Sequence, residues 1–287
     1  YEIGSGLVGS EMCIRDSGGT SLVENFLPPD GCLLGILACP KPDGETMAVS
    51  GEGILDLTDS FKDGFVFYDL PKGAYRLFVL FTTHTGGGRE HYMNLLDRES
   101  VKVFLDEVYE KHYERYGKEF GKTFAGFFSD EPEIGNVSGY PFDCLPGQPD
   151  IRLPWSKELE KELRNQWGKE FLENLVALWY ARGEKTGELR VQYMNCVTKL
   201  VYQCFSGQVG EWCRNHGVEY IGHIIEDDNA HGRLGCSIGH YFREMKGRQM
   251  AGIDVVHHQI VPGFTKKIHQ WIAGDSDGEF FHFGLAK

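Results

Sequence analysis

Three carboxylates leave one apolar run within four residues, in Phe127-Phe128-Ser129-Asp130-Glu131-Pro132-Glu133. At the end of a buried strand, partial burial and a like-charged neighbour both disfavour ionisation. The carboxyl pKa then rises toward the range a general acid needs. The competing reading is a capping box, with Asp130 opening a helix and Glu133 reaching back to it. The residues that follow, Ile134-Gly135-Asn136-Val137-Ser138-Gly139-Tyr140-Pro141, continue a helix poorly, so acid–base chemistry is the stronger expectation.

A second acidic strand end is Tyr220-Ile221-Gly222-His223-Ile224-Ile225-Glu226-Asp227. Glu226 and Asp227 follow directly on the apolar run, whereas Asp228 and Asn229 read as a solvated loop. Asp227-x-Asn229-x-His231-Gly232 opens like a calcium-binding loop, but its twelfth position is Ile238 and not Glu. No His-Glu-x-x-His occurs, which removes the zinc-protease pattern. His257 and His258 are adjacent, so a strand sends them to opposite faces. With His84 and His223 at other strand ends, one of them could surround a substrate or a metal, although any single histidine is more often structural. Tyr92, Tyr140 and Trp155 lie in loops where flat rings stack on sugar faces or simply pack.

The elements that carry these groups have two textures. Residues 31–70 are short apolar runs separated by Pro-Asp-Gly and Lys-Asp-Gly turns, which predicts a small antiparallel β excursion. From Tyr75 onward, apolar strands alternate with amphipathic stretches. Tyr75–Thr82, Thr123–Asp130, Glu219–Ile225 and Ile253–Ile260 read as strands. Residues 98–116, 157–180 and 189–216 carry helical spacing. Such alternation predicts an α/β fold with parallel βαβ units. No glycine-rich phosphate loop follows any strand, and His84, Asp130, Glu131, Glu226, Asp227 and His257 gather at strand ends. Both facts favour a partial (β/α)8 barrel of the TIM type over residues 71–287, with ligands at its C-terminal mouth.

Composition narrows the partner. With 29 Lys and Arg against 42 Asp and Glu, the net charge of −13 argues against nucleic acid and anionic membranes, because phosphate contacts need a basic face. No apolar run reaches the roughly 20 residues of a membrane span. The eight cysteines include no Cys-x-x-Cys, so a zinc knuckle is not expected. Their scatter leans toward a reducing, cytoplasmic compartment without fixing a location. Glu11–Ser17, EMCIRDS, looks like a translated sequencing adapter, so residues 1–17 are set apart as non-native and the chain reads as an internal fragment of a longer protein.

The string His91-Tyr92-Met93-Asn94-Leu95-Leu96-Asp97, the helix VFLDEVYEKHYERYG and FAGFFSDEPEIG resemble the catalytic domain of glycoside hydrolase family 106, the α-L-rhamnosidases. Asp130-Glu131-Pro132 is also similar to the Asn-Glu-Pro acid/base motif of other barrel glycosidases, with Asp130 in place of Asn. The resemblance implies hydrolysis of an α-L-rhamnoside or similar glycan by an inverting pair of carboxylates. Glu131 matches the strand-end glutamate and is expected to be the acid, with Glu226 as its partner. His84, Asn94, Asp130, Glu133, His223, Asp227, His257 and Trp155 are expected to bind substrate. The resemblance also implies dependence on calcium, without assigning its ligands. Two other readings remain: a carbohydrate-binding barrel without catalysis, and a metal-dependent hydrolase using His84, His223 and His257.

Overall fold

A computed structural model describes residues 6–14, 18–42, 44, 47–86, 88, 89, 91–137, 144–225, 234, 237–252, 254, 268, 269, 277 and 278. The N-terminal strands are β1 (Gly6–Ile14), β2 (Gly18–Leu22), β3 (Cys32–Pro40), β4 (Ala48–Val49), β5 (Leu55–Asp56), β6 (Phe61–Lys62), β7 (Phe65–Asp69) and β8 (Tyr75–Thr83). Helices α1 (Arg98–Phe104) and α2 (Glu110–Tyr116) are joined by a π-turn at Leu105–Tyr109 and lead into β9 (Gly126–Ser129). After β10 (Leu153–Pro154) come α3 (Lys157–Trp167), α4 (Phe171–Leu175) and β11 (Ala181–Arg182). Helices α5 (Thr186–Leu200) and α6 (Gly207–Asn215) flank a second π-turn, before β12 (Glu219–Gly222), α7 (Tyr241–Met245) and β13 (Met250–Ala251).

β8 organises the first half. It lies between β1 and β3, antiparallel to both, in a five-stranded sheet ordered β10-β1-β8-β3-β5. Part of the adapter-like string is therefore paired, with β1 in register from Gly6 opposite Thr83 to Ile14 opposite Tyr75. Alternate side chains of β8 enter different cores. Phe78 and Leu80 join the large helix-lined cluster with Leu37, Leu175 and Trp179. Leu77, Val79 and Phe81 join a smaller one with Val23, Val66 and Leu70, beneath the β2-β7-β6 sheet. Burial on both faces explains why the whole strand reads as one apolar run.

This placement differs from the sequence expectation of β8 as a strand of the parallel sheet. Its hydrogen-bonding groups pair with β1 and β3, antiparallel neighbours from the N-terminal part of the chain. The parallel strands among the described residues are instead β9, β12 and β13, in the order β13-β12-β9, with a separate two-residue ladder between β11 and β4. The chain is thus a mixed α/β structure of small sheets and several helices, and no closed barrel is present among the described residues.

The helices cover one face of the parallel sheet. Asp97 caps α1 by accepting the Ser100 N–H at 2.8 Å, and Ser156 caps α3 by accepting that of Leu159 at 3.1 Å. Leu159, Leu163 and Trp167 repeat every four residues along α3 and are buried. Against the sheet, the Tyr109 ring stacks on Phe127 with centroids 3.9 Å apart, and Trp212 meets both rings edge-on. No helix among the described residues is long and apolar enough to cross a membrane.

Candidate functional site

The site forms where β9, β12 and β13 end. Parallel strands bring their C-terminal ends to one side, so Asp130 and Glu131 after β9, His223 after β12 and Asp254 beyond β13 emerge together. The described residues 131–137 that follow Asp130 form no helix, which removes the capping-box reading. A buried ion pair holds this edge from below: Arg248 donates to Glu244 at 2.8 Å and, more loosely, to the Ser129 carbonyl at 3.4 Å. Gly222 has φ of 142°, and a Cβ there would collide with the Arg248 guanidinium and the Ser129 carbonyl. Only glycine lets the strand end pass so close to its neighbour.

Ligand atoms of Glu131, His223 and Asp254 all lie within 4.8 Å of one another. His223 Nε2 also sits 3.1 Å from Asp130 Oδ1. Glu131 itself takes φ of 43°, a left-handed conformation that costs a non-glycine residue about 1–2 kcal/mol. Burial is the main cause that lifts its carboxyl above the usual range. The charges of Asp130 and Asp254 add to the rise, and His223 works against it. Strain and a raised proton affinity on one residue are features that cluster at functional sites.

The loop after β8 completes one wall. Arg89 donates its backbone N–H to the Gly135 carbonyl at 3.0 Å, and its guanidinium pairs with Glu133 at 2.6 Å. The Tyr92 hydroxyl accepts the Glu133 N–H at 3.1 Å. Glu133 is 3% exposed, and its Oε2 is buried without a hydrogen-bond partner among the described residues. Burial raises this carboxyl too, with Arg89 lowering it and Glu131 adding to the rise. At the start of the loop, Asp30 accepts the Thr83 and Thr85 hydroxyls at 2.8 and 2.7 Å and the His84 and Thr85 N–H groups at 2.6 and 3.2 Å. Desolvation opposes its charge, but these hydrogen bonds outweigh that cost and bring the carboxyl down to about 2.

Of the residues expected from sequence, the structure gathers Glu131, Asp130 and His223, with Glu133 beside them. His84 stands exposed at the head of the β8 loop. Asn94 and Trp155 are in the core, at 4% and 2% exposure. Asn94 donates to the Trp155 carbonyl at 2.9 Å and accepts the Leu96 N–H at 3.0 Å, shaping the entry to α1. Glu226, Asp227, His257 and Tyr140 lie outside the described residues. Asp254 was not foreseen, because sequence reading hid it inside a strand over 253–260, whereas the described strand is Met250–Ala251. An acid inside an apolar run was the available signal.

Two carboxylates and an imidazole within 4.8 Å suit a divalent cation. A hard cation such as calcium takes 6–8 oxygens, so it would need further oxygens from water or sugar hydroxyls. His84 does not belong to this group. Of the histidine trio read as an alternative metal site, His223 is in this group, His84 is not, and His257 lies outside the described residues.

No family model matches the chain, and no curated protein matches it. Among solved structures, the fold is similar to that of a rhamnosidase from Novosphingobium sp. PP1Y, with a TM-score of 0.50 and 17% identity. The similarity covers 72% of this chain and 19% of that one, so the chain spans about a fifth of the neighbour's length. At this identity the likeness is one of fold.

Proposed function

We propose that the chain carries part of a glycoside hydrolase site at the mouth of a (β/α)8-type barrel, with β9, β12 and β13 as adjoining strands. The observation that carries this reading is the convergence of Glu131, His223 and Asp254 at the ends of parallel strands, where ligands bind in such barrels. The fold similarity to a rhamnosidase and the SDEP string support an α-L-rhamnoside or related glycan as substrate.

Glu131 is the proposed proton donor, because burial and two neighbouring acids favour its protonated form. An inverting base must stand about 6.5–9.5 Å away to admit a water. Asp254 is too close to Glu131 for that part, so the base falls to Glu226, just past Ile225. A cation held by Glu131, His223 and Asp254 would need Glu131 deprotonated, and in that state the cluster would orient sugar hydroxyls and leave the donor's part to another acid. Asp130, Asp227 and His257 are proposed as further sugar contacts. A second reading makes Glu133 the donor, favoured by its more complete burial and its unpartnered oxygen.

The test is hydrolysis of aryl glycosides, an aryl α-L-rhamnopyranoside first, by the chain and its Glu131→Gln and Glu133→Gln variants. Removing the donor should lower turnover about 10²–10⁴-fold while sugar binding persists. Sugar binding without turnover in any form would favour the non-catalytic barrel. Absence of both would end the carbohydrate reading.

A further inference from the structure

Glu131 is strained for two separate reasons. Its φ of 43° is left-handed, where a Cβ crowds the backbone. It also precedes Pro132, and a proline ring pushes the residue before it toward extended backbone with negative φ. A conformation disfavoured twice persists only where the surrounding chain over-determines it.

The backbone is held on both sides of this residue. Downstream, the Glu133 N–H donates to the Tyr92 hydroxyl at 3.1 Å, and the Ile134 N–H donates to the Ser237 carbonyl at 3.1 Å. Pro132 lies between these bonds and Glu131, with its own φ fixed by the ring. Upstream, the Ser129 carbonyl meets Arg248, whose side chain is fully buried. Two nitrogens of the guanidinium are committed to Glu244, Nε at 3.0 Å and Nη2 at 2.8 Å. The third, Nη1, donates to Ser129 at 3.4 Å. Next to Arg248, the Gln249 N–H donates to the Tyr220 carbonyl at 2.9 Å, so this arginine is rooted on β12 and reaches across to the end of β9.

We propose that Arg248 and the Tyr92 hydroxyl are positioning residues for Glu131. They pin the chain on either side of it and together impose the left-handed conformation that keeps its carboxyl with His223 and Asp254. A lysine in place of Arg248 keeps a charge for Glu244, but one ammonium lacks the fork that serves Glu244 and Ser129 together. The consequence for turnover rests on the proposed part of Glu131 as proton donor; the consequence for its backbone does not.

The test reads the sign of φ at Glu131 in the intact chain. Asp-Glu occurs only at 106–107 and 130–131, so isotopic labelling of that dipeptide gives two NMR signals, with Glu107 in the π-turn after α1 as a right-handed reference. The one-bond Cα–Hα coupling is smaller at positive φ, so Glu131 should fall below Glu107 in the parent chain. In Arg248→Lys and in Tyr92→Phe the Glu131 coupling should rise toward that of Glu107. In the same variants kcat on an aryl α-L-rhamnopyranoside should fall about 10–100-fold with KM nearly unchanged. A parent coupling already equal to that of Glu107, or one that stays low in either folded variant, would overturn the proposal. So would an unchanged kcat in a variant whose coupling has risen. If Arg248→Lys does not fold, Tyr92→Phe decides by the same coupling. A parent without turnover ends the hydrolase reading, and the coupling alone then decides the clamp.

Discussion

β8 and β9 are alike in sequence texture, each an apolar run that ends in a polar loop, yet they live in opposite conditions. β8 is covered on both faces, by the helix-lined core on one side and the β2-β7-β6 sheet on the other. Among the described residues, β9 is covered on one. Phe127 packs under Tyr109 and Trp212, while Phe128 is 59% exposed, in register through Ile221 with Met250 at 57%. The difference separates labour within the molecule. One sheet fixes the frame, and the other holds strained, partly buried acids at an accessible edge.

The largest effect that could break this comparison is in the frame. Phe78→Ala should cost about 3–5 kcal/mol by chemical denaturation, as a large ring lost from a closed core does. A cost below about 1 kcal/mol would mean β8 is not the central element. Under the site, Arg248→Ala leaves Glu244 buried without its partner, and about 3 kcal/mol or more should be lost. Because that pair reaches the β9 edge through Ser129, sugar binding should weaken in parallel with stability.

The acids give a gentler handle. Glu131 has a raised pKa in the folded chain, so its contribution to stability is fully present below the ordinary glutamate value of 4.5 and is lost as pH rises through the folded pKa. Glu131→Gln should therefore flatten the melting temperature against pH in the window from 4.5 up to the raised folded pKa, and an unchanged slope there would contradict the burial argument. The smallest effect is expected at Phe128. Its truncation to alanine should change stability by no more than about 0.5 kcal/mol, in contrast to Phe78. A loss of several kcal/mol there would mean the open face is closed in solution.

The acid string after β9 was legible in sequence because two independent signals coincide in it: an apolar run that must be buried, and carboxylates that must escape. The helices were legible for the same reason, since α3 writes its buried face at every fourth residue. Sheet membership was not. The run in β8 says only that both faces are covered, and it is silent on whether the neighbours are parallel strands or the nearby β1 and β3. Trp155 and Asn94 misled because a loop position does not imply exposure. The segment around them is drawn inward, with the Trp179 indole N–H on the Ile151 carbonyl and the Tyr193 hydroxyl on that of Pro154. Asp254 was hidden because it sits in an apolar run, 253–260, that reads as a strand; of that run only Asp254 is described, just beyond β13 at Met250–Ala251.

The loop from Thr83 to Arg89 is fastened at both ends by carboxylates of opposite temper. Asp30 grips its beginning and stays ionised down to pH about 2, whereas Glu133, which holds Arg89 near its far end, takes up its proton earlier than an ordinary glutamate. Mild acid would thus weaken the loop's fastening from one side only: the Arg89–Glu133 ion pair is lost first, while the Arg89 N–H stays on the Gly135 carbonyl and Asp30 keeps its grip at the other end.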